Sequence, residues 1–287
     1  MDGLWFRFAL AVLISSAIAA RAFRRKSVDL SGVMAGIPVM VIHTVAGYRF
    51  AVLLLVFFFT SSKLTRIGEE KKRETDAEFK EGGQRNWGQV LANSGIASIL
   101  LVILATLASG QDRCLDSNES KIITGLIGGI LGHYACCNGD TWSSELGILS
   151  ISQPRLITTF KLVGRGPNGG FTLDGLLAAT VAGIAIGIPF TLAGMITAEC
   201  SADAAWRQLL AVPVAALAGL FGSLIDSFIG ATLQFSGYCS VRKRVVAKPG
   251  ATVLKISGMN ILDNNSVNIV SVFLTTLLTS IACIYIF

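Results

Sequence analysis

Eight predominantly apolar stretches take up most of this chain, at residues 5–20, 30–46, 50–62, 90–109, 122–137, 173–196, 209–228 and 267–287. A helix that crosses the hydrocarbon layer of a bilayer needs about 20 mostly apolar residues. The chain is therefore expected to be all-α, a polytopic transmembrane bundle of about eight spans forming one integral membrane domain over residues 1–287. The second and third stretches are short and close together and could form a tight hairpin. With 52% hydrophobic and 15% charged residues and a mean hydropathy of +0.64, a soluble domain around a buried core is excluded.

The basic residues orient the bundle. Of 24 Lys and Arg residues, 19 fall in four links that such a topology places on one side: Arg21 to Lys26, Lys63 to Arg85, Arg155 to Arg165 and Arg242 to Lys255. The other five, Arg7, Arg49, Arg113, Lys121 and Arg207, fall on the opposite side. The positive-inside rule makes the first side cytosolic and puts both termini on the far side. The net charge of +6 thus reads as a topology signal. Its spread over four short loops argues against a nucleic-acid surface. The mixed-charge run 63–86, with Glu69 four residues before Arg73, reads as a cytosolic extension of the third span.

No positive charge leads the first apolar run and the Arg cluster follows it, so a retained span is expected there instead of a cleaved signal. Nor does a long Ser- and Arg-rich segment precede it, so the plasma membrane or endoplasmic reticulum is expected ahead of the plastid. Cys136, Cys137, Cys239 and Cys283 read as small packed hydrophobes. Cys114 and Cys200 share the far side, where a disulfide is chemically possible. The sequence carries no signal for oligomeric state.

Directly after the fifth apolar stretch stands Asn138-Gly139-Asp140-Thr141-Trp142-Ser143-Ser144-Glu145-Leu146-Gly147. A carboxylate at the edge of lipid is costly unless a metal, a cation or water accompanies it. On a helix, Asp140 and Ser144 are one turn apart, as are Thr141 and Glu145, and such groups could hold a hard divalent ion; a capped helix end with solvated acids is the plainer alternative. Small residues repeat every fourth position in three spans, which lets helix backbones approach closely. Asp226 stands in such a stripe, between Gly222 and Gly230, and packing alone does not account for it.

Asp140, Glu145, the loop from Lys161 to Gly170, Asp174, Asp226 and the run Leu262 to Asn268 all fall at cytosolic ends of spans in this topology. One polar pocket between the last four or five helices is expected to gather them. Lys161, Arg165 and Asn168 belong to a glycine-rich loop that could wrap phosphate oxygens, although it lacks the Walker pattern; a plain flexible loop fits as well. Asn264 and Asn268, one helical turn apart, could orient a ligand or cap the last span. Asp140, Glu145 and Asp226 are the expected ligands of a divalent ion. Oxygen donors without a His or Cys cluster select Mg²⁺ over zinc. A Ser-His-Asp hydrolase is unsupported, because His133 reads as a packed residue.

These motifs also resemble a known family. The order G-D-T-W-S-S-E-L-G, then P-R-L-I-T-T with a following Lys, G-x-N-G-G, Asp226 within G-S-L-I-D-S-x-I-G-A, and a terminal D-N-N-x-V-N is similar to the transmembrane protein 19 family, from about Gly32 onward. That family contains phytyl-phosphate kinases of plants and cyanobacteria. It also contains plant members described as growth and sugar-response proteins at the cell membrane, which this chain resembles most. The resemblance implies nucleotide-dependent phosphorylation of an isoprenoid monophosphate, with CTP or ATP as co-substrate.

Two classes of function follow. One is a membrane-embedded transferase whose lipid tail lies between helices while its phosphate meets Mg²⁺ and nucleotide at the cytosolic edge. The other is a transporter or non-catalytic protein of sugar-responsive growth signalling, whose buried polar groups bind a solute or partner.

Overall fold

The computed structural model describes residues 2–69 and 83–287, so Arg73 and most of the charged run 63–86 lie outside the described residues. Ten α-helices follow in order: α1 Asp2–Arg24, α2 Leu30–Ala46, α3 Tyr48–Arg66, α4 Trp87–Ala92, α5 Gly95–Leu107, α6 Ser117–Gly147, α7 Leu173–Thr197, α8 Ala202–Arg207, α9 Ala211–Leu233 and α10 Asn264–Ile286. Among the described residues, five stretches are long and apolar enough to cross a bilayer: α3, α6, α7, the α8–α9 unit Ala202–Leu233, and α10. Helices α2 and α5 are apolar but shorter, at 17 and 13 residues. The expected hairpin of the second and third stretches is turned at Gly47 alone.

Helix α6 is the axle of the bundle. Almost every residue from Thr124 to Gly139 is buried, and α7, α9 and α10 pack around it. It can be enclosed on so many sides because its glycines carry no side chain. A Cβ added at Gly128 would meet Cys283 of α10 at 2.5 Å, and one added at Gly139 would meet the Gly219 carbonyl of α9 at 2.5 Å. In lipid no hydrophobic force drives helices together, and such close backbone packing replaces it. Ser120, extended in backbone, separates a first turn from the main helix and accepts from the Ile123 N–H at 3.3 Å. Large apolar side chains such as Ile99, Leu177, Ile188, Phe221 and Leu278 are exposed on the bundle exterior, as a lipid-facing surface requires.

The two ends differ in chemistry. At the far end Arg49, 1% exposed, pairs with Asp112 and lies between the Phe50 and Phe190 rings, 5.0 and 4.8 Å from their centroids. Arg113 pairs with Glu119, and Arg207 donates to the Ile286 carbonyl. Cys114 and Cys200 form a disulfide there, with Cα atoms 5.7 Å apart, while the other four cysteines are free and buried. Disulfides persist in oxidising spaces, so this bond and the basic bias orient the bundle the same way. Because the free cysteines are shielded, single cysteines at Asn118 and Lys248, both exposed, should react with an impermeant maleimide from opposite faces. Labelling of both from one face would overturn the orientation.

The basic end is not wholly helical, which corrects the all-α expectation. Strands β1 Arg155–Leu156 and β2 Gly170–Phe171 pair antiparallel across the glycine-rich loop. Strands β3 Ser236–Cys239, β4 Arg244–Val246 and β5 Val253–Ser257 form an antiparallel sheet in the order β4-β3-β5. Short Val-containing runs around Lys248-Pro249-Gly250 carried that signal, which the count of basic residues obscured.

Candidate functional site

Three helices each carry one polar side chain at the same residue count from their basic ends. Asp140 lies seven residues before the end of α6, Asp226 seven before the end of α9, and Ser271 seven after the start of α10. At 1.5 Å per residue each is roughly 10 Å inside the basic end. The Ser271 hydroxyl donates to Asp226 Oδ2 at 2.8 Å. Asp140 and Asp226 interact as like charges, and Glu145 adds a weaker repulsion on Asp140. Helices α6 and α9 meet through Gly139 against Gly219 and Gly222 against Cys136, which is what lets two acids on separate helices face one another.

The expected triple of Asp140, Glu145 and Asp226 is not assembled. Among the described residues no three His, Cys, Asp or Glu side chains stand where they could share one ion. The cause is helical geometry: five residues at 100° each carry Glu145 about 140° round α6 from Asp140. Glu145 instead faces Arg85. Burial lowers the pKa of that guanidinium and the Glu145 carboxylate opposes the shift. The neighbouring hydroxyls are turned inward, Thr141 donating to the Cys137 carbonyl and Ser144 to the Thr141 carbonyl, so they offer a ligand little.

The single pocket divides further. Arg165 donates to the Ser150 carbonyl, and the Ser150 hydroxyl donates to Asp174. Both groups therefore tie loop to helix. Asn168 receives the Ser236 hydroxyl as acceptor for its backbone N–H at 2.9 Å, and its amide donates to the Phe235 carbonyl at 3.4 Å. It docks the loop on β3. Lys161 is exposed. The last span is capped by Asp263, which accepts from the Ser266 N–H at 2.8 Å, and not by Asn264, which is exposed; the Asn268 carbonyl accepts from Ser271. Of the eight expected site residues, Asp140 and Asp226 stand on the two helices that meet through glycines, and Ser271 links Asp226 to the Asn268 carbonyl.

Two carboxylates and no third protein ligand are an unsuitable cage for a resident ion. They fit Mg²⁺ delivered with a nucleotide, because Mg²⁺ keeps most of its waters and typically takes one or two carboxylates plus substrate phosphates. Among the described residues the Ser271 hydroxyl, at 2.8 Å, is the one hydrogen-bond donor to the Asp226 carboxylate, which leaves its other lone pairs for such an ion.

Several polar residues were hidden from sequence reasoning. Asn138, fully buried, accepts from the Thr60 and Ser61 hydroxyls at 3.0 and 3.1 Å and donates to the Ala182 carbonyl at 3.0 Å, clasping α3, α6 and α7. His43 donates from Nδ1 to the Val39 carbonyl at 2.7 Å, which leaves Nε2 to accept from the Tyr134 hydroxyl. His133 donates from Nε2 to the Asn93 carbonyl at 2.9 Å, a packed role in keeping with its reading. A cavity also opens away from the last helices, between α1, α2, α3 and α4, with Arg85 in its wall.

A family model described as integral membrane protein DUF92 matches residues 13–276. Protein PGR of Arabidopsis thaliana is 66% identical over 98% of both chains. An uncharacterized membrane protein of Methanocaldococcus jannaschii is 31% identical over 80% of this chain and 85% of its own. Protein VTE6, chloroplastic, of Arabidopsis thaliana is 25% identical over 63% of this chain and 49% of its own. No solved structure matches significantly.

Proposed function

Because the chain belongs to the integral membrane family DUF92, we propose that this multi-pass protein is a Mg²⁺- and nucleotide-dependent transferase phosphorylating an isoprenoid monophosphate at the basic, cytosolic face of about eight spans. The observation that carries it is the close contact of α6 with α9, at Gly139 against Gly219 and Gly222 against Cys136, which brings together the helices bearing Asp140 and Asp226. The resemblance to a family with phytyl-phosphate kinases supplies the substrate class.

Phosphoryl transfer asks a protein mainly to position groups and to offset charge. Asp140 and Asp226 would hold the ion that accompanies the nucleotide, and bound Mg²⁺ would offset charge on the transferring group. A prenyl monophosphate is ionised at neutral pH, so its oxygen attacks without a general base. A new P–O bond forms to the transferring phosphorus while the bond to the nucleoside diphosphate breaks. The residues of α6 exclude water from one side, because the helix is buried from Thr124 to Gly139. Arg85, beside Glu145, offers a fixed cation for acceptor oxygens.

The Cys114–Cys200 bond calls for an oxidising space opposite the basic face, which supports the plasma membrane or endoplasmic reticulum; the chloroplastic name of VTE6 pulls the other way. A second reading, transport or non-catalytic signalling, is favoured by the buried His43–Tyr134 bond and the adjoining His133 in the bundle interior, since polar strings inside membranes commonly serve solute or proton movement. Transfer of label from a nucleotide to prenyl monophosphates by the purified protein separates the two. Label in the lipid supports the transferase, and an unlabelled lipid with solute uptake in liposomes supports the transporter.

A further inference from the structure

The cavity between α1, α2, α3 and α4 lies apart from the acidic pair. Its walls are mainly apolar, with Ala19 and Ala22 of α1, Gly32 and Gly36 of α2, and Leu54 and Phe57 of α3, while Ser15, Gln89, Asn93 and Ser94 add polar groups. Small residues on two adjacent helices leave a slot, and a Cβ added at Gly36 would meet nothing within 4 Å. From Gly32 to Met40 the slot follows eight residues of α2, roughly 12 Å. That is close to the depth of one leaflet of a hydrocarbon core about 30 Å thick.

At its basic end stands Arg85, whose backbone is tied on both sides. Its N–H donates to the Ser27 carbonyl at 3.1 Å, and its carbonyl accepts from the Asp29 N–H at 3.1 Å. Gly32 has no Cβ where one would collide with the Arg85 carbonyl. From this anchored backbone the guanidinium donates through Nη1 to the Ser62 hydroxyl at 2.8 Å. Arg66 reaches the same corner and donates to the Ser27 hydroxyl at 2.9 Å. A guanidinium has five donors in a fork that matches phosphate, and among the described residues the Ser62 hydroxyl takes one of them. An apolar slot one leaflet deep, closed at the polar end by a fixed cation, matches an amphiphile with one anionic head and one chain. The slot is open beside Gly36, which leaves room for methyl branches.

The geometry points to this slot as the site of an isoprenoid monophosphate, with the chain between α1 and α2 against α3 and the phosphate on Arg85. The head group then lies beside Glu145, at the end of the helix that carries Asp140. The acceptor therefore enters from the first helices and not from between the last ones, where the sequence placed the pocket. The isoprenoid nature of the chain rests on the transferase reading; the slot and its cation do not.

The test uses full-length protein in phosphatidylcholine nanodiscs and geranylgeranyl monophosphate bearing a diazirine near the chain end. After irradiation, adducts should map to α1, α2 or α3. Unlabelled geranylgeranyl monophosphate should suppress them at about tenfold lower concentration than geranylgeraniol or dioleoyl phosphatidic acid. Arg85→Gln should remove that preference for the phosphate over the alcohol, and Gly36→Phe should remove the adduct while the protein stays monodisperse. Gly36→Leu serves if the larger side chain prevents folding. Adducts confined to α7, α9 and α10, or equal suppression by phosphatidic acid, would overturn the assignment, as would an unchanged preference in Arg85→Gln. Adducts in the slot of a protein that transfers no phosphoryl group would keep this site and remove the kinase reading, whereas transfer with adducts elsewhere would do the reverse.

Discussion

Asp140→Asn should abolish phosphoryl transfer while leaving the protein at least as stable as the wild type. Asp140 and Asp226 repel one another in a largely apolar setting, and two such carboxylates are destabilising when nothing positive stands between them. Neutralising one relieves that repulsion, so the melting temperature should hold or rise. The same change removes half of the carboxylate set for Mg²⁺. Loss of an interaction worth about 3 to 4 kcal/mol in the transition state corresponds to a rate lower by roughly 10²- to 10³-fold. Asp226→Asn should behave alike, since the Ser271 hydroxyl can donate to an amide oxygen as it does to Oδ2. A variant that keeps wild-type transfer would remove Asp140 from the site. One that merely unfolds would contradict the electrostatic argument.

The second large effect is structural. Gly139→Val should break the contact between α6 and α9, because the added Cβ would lie 2.5 Å from the Gly219 carbonyl oxygen and 2.8 Å from the Gly219 Cα. Both atoms are backbone and neither can rotate away, so the helices must separate. Overpacking costs about 1–3 kcal/mol at an ordinary core position, and a backbone obstacle places this site at the upper end. At about 3 kcal/mol, a protein of this size loses roughly 6 to 12 °C of melting temperature. Gly164→Ala is the control, with nothing within 4 Å of the added atom. Equal melting curves for the two variants would show that α6 and α9 do not meet through these glycines.

Much of the fold is legible in the sequence because lipid makes apolar length decisive. Each long apolar stretch became a helix, and the small-residue stripes became helix contacts, as at Gly128 with Cys283. Asp140 and Asp226 stand out as candidates for the same reason, since a carboxylate among apolar residues has few structural excuses. What stayed hidden depends on direction within a helix or on distance along the chain. Glu145 shares a motif with Asp140, yet its angle on α6 turns it to Arg85. Arg85 itself looked like one charge in a solvated run. Only the folded chain shows its backbone locked to Ser27 and Asp29. Arg165 and Asn168 carry the residue types of a phosphate loop, but local carbonyls and the Ser236 hydroxyl claim them first. The slot joins α1, α2, α3 and α4 through residues from Ser15 to Ser94, and no local pattern announces it.

If Asp140, Asp226 and Arg85 serve phosphoryl transfer to a lipid phosphate, the purified protein should move label from a nucleotide to that lipid. Purified protein in nanodiscs would be incubated with Mg²⁺, γ-labelled CTP or ATP, and phytyl, farnesyl or geranylgeranyl monophosphate. Labelled prenyl diphosphate should form only with Mg²⁺ and should disappear in Asp140→Asn. An unlabelled lipid with every nucleotide and acceptor, from protein shown to be folded, would contradict it.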